Sequence, residues 1–312
     1  MKRQGAKLEA SQNPFVLMPI LLLMWGSLAA VGKLLLNHLD SYQVMFYMYG
    51  IGVIAFFVIF LFKGQLRSIC SWKFSEIVLL LSCGTLTFLY DFFYLKSLEL
   101  IPAVEASMLN YLFPIFIVLL AIPIHKEKLN LYKMISVVMG FMGTFLLITK
   151  GDLANINFTN FQGDLFAVLA AISWGLFTNL IKKNQKELLA STFFITIIAF
   201  VLSAGALLTS SRFIVPQQTD FFGVSWLSMS NIVLGFFLYF RALKYSSASL
   251  IASFTFFTPF VTLVFIVLLL GEKLTVTDCL AAILIIFSVP IQKLGMLAGK
   301  KEGQLSNSLE ER

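Results

Sequence analysis

"FFYLKSLELIPAVEASMLNYLFPIFIVLLAIPIHKEKL", Phe92 to Leu129, returns 145 residues later as "FLYFRALKYSSASLIASFTFFTPFVTLVFIVLLLGEKL", Phe237 to Leu274. The two strings align without a gap. Phe92 meets Phe237, Tyr94 meets Tyr239, Leu98 meets Leu243, Ala103 meets Ala248 and Pro114 meets Pro259, and the "EKL" from Glu127 meets the "EKL" from Glu272. At an offset of 149, Trp25-Gly26 meets Trp174-Gly175 and Lys33 meets Lys182. Proline, tryptophan and Glu-Lys landmarks in one order identify two copies of a unit, beyond the general likeness of apolar helices.

Outward from that stretch the chain stays apolar. Of its 312 residues 59% are hydrophobic and 12% charged, and the mean hydropathy is +0.89. No single soluble core of this size could hide so much apolar surface, so the chain reads as an integral membrane protein. Apolar runs of about 20 residues, the length that crosses roughly 30 Å of hydrocarbon, recur near 15–36, 41–62, 74–98, 103–122, 131–149, 163–182, 190–210, 222–243, 248–270 and 275–295. The runs are continuous rather than alternating, and lipid admits only helices or closed barrels, so these are helices.

Five spans per repeat is an odd number, so the second copy enters the membrane from the opposite side. The predicted fold is an all-α membrane protein with ten transmembrane helices in two inverted five-helix repeats and both termini cytoplasmic. Residues 1–14 form a cytoplasmic segment, 15–149 the first repeat, 150–162 an outer linker, 163–295 the second repeat and 296–312 a disordered cytoplasmic tail. Inverted repeats mark secondary transporters, with the substrate near the bilayer midplane between the halves and alternating access by rocking. The basic start "MKRQGAKLEASQNP" and the "SLAA" ending at Ala30 also fit a signal peptide. The Trp25-Gly26 landmark makes the first run part of the repeat, and therefore retained.

The net charge of +7 could suggest a nucleic acid. Its distribution instead follows the positive-inside rule: with a cytoplasmic N-terminus, only Lys33, Lys96, Lys150, Arg212 and Lys273 of the 23 basic residues fall outside. The three cysteines lack metal or disulfide spacing. No HExxH, nucleotide-binding loop or cooperating Ser/His/Asp set appears. The reading therefore has no catalysis, metal or cofactor, and names a small-molecule substrate and the lipid bilayer as partners, with the chain a monomer or homodimer.

The groups that could carry function are the polar ones inside spans. At about 100° per residue, Ser107, Asn110, Tyr111 and Pro114 share one face of the fourth span, away from Glu105 and Met108. Pro114 cannot donate to the carbonyl of Asn110, which leaves a polar cluster that lines a cavity or else a proline kink that serves packing. Glu105 lies one turn from Pro102, where a helix start favours a carboxylate by roughly 0.3 to 1 kcal/mol; a mid-bilayer acid would cost roughly 2.5 to 3.5 kcal/mol. It is a structural cap or an outer gate. Asp91 lies deeper and needs a partner, and Lys33 is at comparable depth, so Asp91 is a functional acid or one half of an ion pair. Lys33 and Lys182 each close the first helix of a repeat, where snorkelling is the ordinary fate. Tyr90, Tyr111, Phe113 and Trp174 flank these positions and read either as core or as an aromatic cavity wall.

With two inverted five-helix halves, Pro114 and Pro259 in the fourth and ninth helices, and "GEKLT" from Gly271, the chain resembles the EamA-type members of the drug/metabolite transporter superfamily over residues 15–295. "YDFFYLKSL" followed by "VEASMLNYLFPIFIVLLAI" resembles the bacterial aromatic amino acid exporters, whose fourth helix reads E-x-x-M-[VL]-N-Y-L-W-P. The resemblance implies a bacterial inner-membrane exporter with Tyr90, Tyr111, Phe113 and Trp174 around the substrate. Phe113 stands where that branch has Trp, and Asp91 where it has Glu, which alters cavity volume and acid reach. The alternative cargo for the same fold is a nucleotide derivative, a polyamine or an organic cation.

Overall fold

Side-chain caps set where the helices begin, and proline, glycine and serine decide which apolar runs stay whole. The computed structural model describes residues 12–63, 72–127, 130–152 and 160–258, and beyond those 261, 276–277, 279–288, 290–291 and 294. Pro259, most of the segments 1–14 and 150–162, and the tail 296–312 lie outside the described residues.

Helix α1 (Pro14–Trp25) starts on Asn13, whose side chain accepts from the amide of Phe15. After α2 (Leu28–Leu35), α3 (Ser41–Lys63) begins with a reciprocal capping box: Gln43 N donates to Asp40 and Asp40 N to Gln43, both at 2.9 Å. At α4 (Phe74–Leu100) the Glu76 side chain accepts from Lys73 N. The fourth run is divided into α5 (Ala103–Asn110) and α6 (Phe113–His125). Asn130 caps α7 (Leu131–Thr149), Asn160 caps α8 (Phe161–Ile181) and Glu187 caps α9 (Leu188–Ser210). The eighth run is α10 (Gln218–Leu227), a π turn over Ser228–Val233, and α11 (Leu234–Lys244); α12 (Ala248–Thr255) opens the ninth.

The described residues hold no strand, and six helical stretches are long and apolar enough to cross a bilayer: Ser41–Phe62, Phe74–Leu100, Glu105–His125, Phe161–Ile181, Leu188–Ser210 and Gln218–Lys244. Pro14–Trp25, Leu131–Leu146 and Cys279–Ser288 are shorter apolar helices. Of the ten expected spans, the first is split at Gly26-Ser27 and the fourth at Tyr111-Leu112, where the proline disturbance is expected. The second break follows from Pro114, which cannot donate to the Asn110 carbonyl.

The chain packs as two compact units, and neither is a repeat. One comprises Met1–Leu95 with Leu180–Ser247, the other Lys96–Asn179 with Ala248–Arg312. Close helix contacts cross from one repeat to the other within each unit, and small residues permit them. In the first unit a Cβ on Gly84 of α4 would meet Ile198 of α9 at 2.6 Å, and one on Gly52 of α3 would meet Thr196 of α9 at 3.3 Å. The Trp25 ring lies 5.1 Å from that of Tyr239. In the second unit a Cβ on Gly175 of α8 would lie 2.7 Å from Phe116 Cβ of α6, and one on Gly140 of α7 would sit 2.3 Å from the ring of Phe256.

Helix ends assigned to the same membrane face meet one another. In the first unit His38 reaches Asp220 at 3.0 Å and Gln43 donates to the Arg212 carbonyl at 2.7 Å; at the other end Lys186 pairs with Glu76 at 2.8 Å. In the second unit Glu127 accepts from Lys133 at 2.9 Å and from Ser249 at 2.6 Å, while Gly151 sits against Thr277 at the opposite end.

Candidate functional site

In the second unit the break between α5 and α6 turns aromatic rings toward α8. The Tyr111 ring is 6.1 Å from Phe113, Phe113 meets Trp174 edge-on at 6.4 Å, and Trp174 meets Phe177 at 5.0 Å. Phe113 and Trp174 are buried at 6% and 4% exposure, whereas Tyr111 is half-buried. Gly175 is what lets α8 approach α6 so closely. Asn179, fully buried, fastens the two helices, donating to the carbonyls of Ile117 at 3.0 Å and Gly175 at 2.9 Å. Its own amide oxygen is buried without a partner. The signal for Asn179 in the sequence was an amide in an otherwise apolar run, five residues after the Trp174 landmark.

Asn110 and Pro114 are buried and Ser107 is half-buried. The expected division of the fourth span into a polar face and an opposite face holds poorly, because Glu105, Ala106 and Met108 are buried as well and the helical phase resets at Tyr111-Leu112. Pro102 is the residue before the helix rather than its first, and Glu105 lies in the first turn. The Glu105 carboxyl comes within hydrogen-bonding reach of Asp164, in the first turn of α8. That one neighbour of this acid is another acid, 59 residues on, leaves no mark in the spacing of the fourth span.

In the first unit Tyr90 stacks nearly parallel on Tyr94, centroids 6.1 Å apart at 8°. Asp91, 9% exposed on α4, accepts a hydrogen bond from the hydroxyl of Tyr49 on α3, a residue with no exposed surface. That hydroxyl also lies 3.4 Å from the Thr87 carbonyl. The expected partner was Lys33, and a phenol takes that place. Lys33 sits in the last turn of α2, where the helix dipole favours a cation. Lys182 does not snorkel outward: its ammonium turns in to the carbonyls of Leu243, at 3.1 Å, and Ser246.

The structure thus gathers Asn110, Tyr111, Phe113 and Trp174 in one unit and Tyr90 with Asp91 in the other. The first set offers ring faces and an amide, suited to a flat apolar group with polar atoms at one end. The second offers a buried carboxyl with a phenol donor. Among the described residues no group of three His, Cys, Asp or Glu side chains could hold a metal ion.

An uncharacterized transporter of Archaeoglobus fulgidus is 23% identical over 266 residues, 83% of this chain and 89% of that one. The uncharacterized transporter YoaV of Bacillus subtilis is 25% identical over 203 residues, 61% of this chain and 66% of YoaV, so the chain matches just under two thirds of that relative's length. One crystal structure of a protein shares the fold with a TM-score of 0.76 at 20% identity, covering 90% of this chain and 96% of that one. The model of the EamA-like transporter family matches twice, at residues 14–149 and 161–291.

Proposed function

The chain belongs to the EamA-like transporter family, and on that premise we propose that this membrane transporter is a secondary exporter of amino acids with aromatic or apolar side chains, working by alternating access. The observation that carries the substrate class is the ring series Tyr111, Phe113, Trp174 and Phe177, which begins one residue after the buried Asn110 that ends α5. A ring contact contributes roughly 0.5 to 1.5 kcal/mol, so two or three suffice to favour an aromatic side chain over a small one. Ser107 and Asn110 supply polar partners for the backbone end of such a solute, and Pro114 fixes the break that presents them. Tyr90 and Asp91 are the second proposed set, Asp91 receiving an ammonium, while Glu105 and Lys33 stand near helix ends as gate residues. The meeting of like-sided helix ends within each unit supports the inverted ten-span topology, and the family's bacterial and archaeal relatives support a cell-membrane location.

One observation favours a second cargo. Asp91 is a buried acid with a phenol as its hydrogen-bond partner, a setting that would also receive an organic cation or polyamine.

The test is counterflow in proteoliposomes loaded in turn with phenylalanine, tryptophan, leucine, alanine, a nucleoside, a polyamine and a quaternary amine. Preferential exchange of phenylalanine and tryptophan is expected. Exchange of the amines with no amino acid flux would replace this reading with the cationic one, and equal flux of alanine and phenylalanine would remove the aromatic cluster from the site.

A further inference from the structure

Two helix interruptions in the first unit meet at the middle of their spans. The first run, 15–36, breaks at Gly26-Ser27, and the stretch Gln218–Lys244 carries its π turn at Ser228–Val233. The Trp226 indole donates to the Ser27 hydroxyl oxygen at 2.8 Å, and a Cβ on Gly235 would lie 3.0 Å from the Trp25 indole nitrogen. Asn231, 8% exposed, falls between those two contacts along the chain, so the π turn lies against the break. Such a turn has poorer geometry than the α-helix around it and occurs mostly at functional sites.

The donors at this junction are turned inward. Asn231 Nδ2 donates to the Leu227 carbonyl at 3.2 Å and to Ser230 Oγ at 2.9 Å, the Ser230 hydroxyl to the Trp226 carbonyl at 2.7 Å, and the Ser27 hydroxyl to the Met24 carbonyl at 2.8 Å. A carbonyl can only accept, so Leu227 fixes the amide nitrogen on its side and leaves the Asn231 oxygen on the other. That oxygen accepts no hydrogen bond among the described residues. The fully buried Ser228 hydroxyl has no partner among them either. An acceptor left open inside a span costs free energy, and a bound donor or cation offsets it. None of these side chains is charged. Neutral oxygens at interrupted backbone are the ligands that channels and transporters use for monovalent ions, whereas divalent ions call for carboxylates. We propose that this junction binds a monovalent cation, with the Asn231 amide oxygen as a ligand. The cation has two sources: a sodium ion from the medium, which when dehydrated needs less room than a water molecule, or the ammonium of the carried solute. The second source rests on the amino acid reading above; the first does not.

The experiment is thermal unfolding of the full-length protein in neutral detergent at fixed chloride and ionic strength, with N-methylglucamine as the inert cation. Sodium should raise the midpoint by several degrees if the ion comes from the medium. Phenylalanine and phenylethylamine, but not phenylpropionate, should raise it if the ligand is the solute's ammonium. Asn231→Leu should remove whichever shift is seen, while Ser230→Ala, which takes a partner from the amide nitrogen and leaves the oxygen, should keep it. Asn231→Asp sets a carboxylate oxygen at the same place and should lower the half-saturating cation concentration by about tenfold; it also serves if the leucine variant fails to fold. No shift with either cation, a shift that survives Asn231→Leu, an equal loss in Ser230→Ala, or an unchanged half-saturating concentration in Asn231→Asp would each overturn the proposal. A protein that melts higher in sodium yet gives no amino acid counterflow would refute the amino acid reading and leave this site standing.

Discussion

Tyr49→Phe isolates one hydrogen bond in the interior of the first unit. Tyr49 has no exposed surface, and phenylalanine keeps its ring, so packing is retained and only the hydroxyl is lost. What remains is the Asp91 carboxyl, 9% exposed, without the phenol that donates to it. Interhelical hydrogen bonds between polar side chains in a bilayer couple by about 0.6 kcal/mol on average and reach about 1.7, while bonds to charged groups run about 1.5 to 3 kcal/mol. A buried carboxyl with a phenol donor belongs at the overlap, so Tyr49→Phe should lower stability by about 1.5 kcal/mol. The assay is reversible unfolding in mixed detergent and SDS micelles, followed by far-UV circular dichroism, on the wild type, Tyr49→Phe, Asp91→Leu and the double variant. Asp91→Leu removes the acceptor, and the Tyr49 hydroxyl keeps the Thr87 carbonyl at 3.4 Å within reach. The double variant should then recover about 1.5 kcal/mol relative to the sum of the single losses. Additivity within about 0.5 kcal/mol, the ordinary scatter for independent sites, would refute the pairing.

Tyr111→Ala removes a half-buried ring at the α5–α6 break and should leave expression and unfolding midpoint near wild type, while phenylalanine counterflow weakens by up to about tenfold, the equivalent of one good ring contact; unchanged counterflow would take Tyr111 out of the site. Gly84→Ala should cost about 1 to 3 kcal/mol through overpacking against Ile198, whereas Gly205→Ala, with nothing within 4 Å of the new methyl, should be neutral or stabilising by up to about 1 kcal/mol; SDS unfolding of the pair checks the contrast. Glu127→Gln leaves the buried Lys133 ammonium without its carboxylate and should cost about 3 to 5 kcal/mol, against about 1 kcal/mol for Ser249→Ala; the reverse order would show that the Ser249 hydroxyl of α12, not the Lys133 ammonium of α7, is the stronger partner of Glu127.

The membrane class, most helix starts and the two repeats were legible because each depends on local features. Apolar run length reports a span, and Asp40, Asn130 and Asn160 are capping residues where they stand. The proline break in the fourth span was legible too, since a missing N–H is visible in the sequence. Partners across helices were not. Asp91 drew attention as a buried acid, but the sequence offered only charge as a guide and pointed to Lys33, whereas the bond comes from Tyr49, 42 residues away. Asn179, the Glu105–Asp164 contact and the inward turn of Lys182 were hidden for the same reason: which side chain a helix presents to its neighbour depends on crossings that one chain's periodicity does not determine. The compact units were hidden as well, since the repeat ordering 15–149 and 163–295 is sequential while the packing is interleaved.

The Trp-Gly landmark shows how far a repeat in sequence constrains a repeat in structure. At Trp25-Gly26 the helix ends, and at Trp174-Gly175 it continues unbroken from Phe161 to Ile181. Glycine alone therefore does not make the break. The next residue differs: Ser27 in the first copy, Leu176 in the second. The Met24 carbonyl accepts from the Ser27 hydroxyl at 2.8 Å and from its amide at 3.3 Å, and the Ser27 oxygen accepts in turn from the Trp226 indole at 2.8 Å. A serine side chain thus offers the backbone an alternative to the helical ladder, and a tryptophan from the second copy holds it there. Leu176 has no such group, and Gly175 is pressed against Phe116, so packing holds α8 straight. One hydroxyl and one close helix contact separate the two copies at their most conspicuous shared dipeptide, and the polar groups freed at each break are the ones that lipid cannot satisfy.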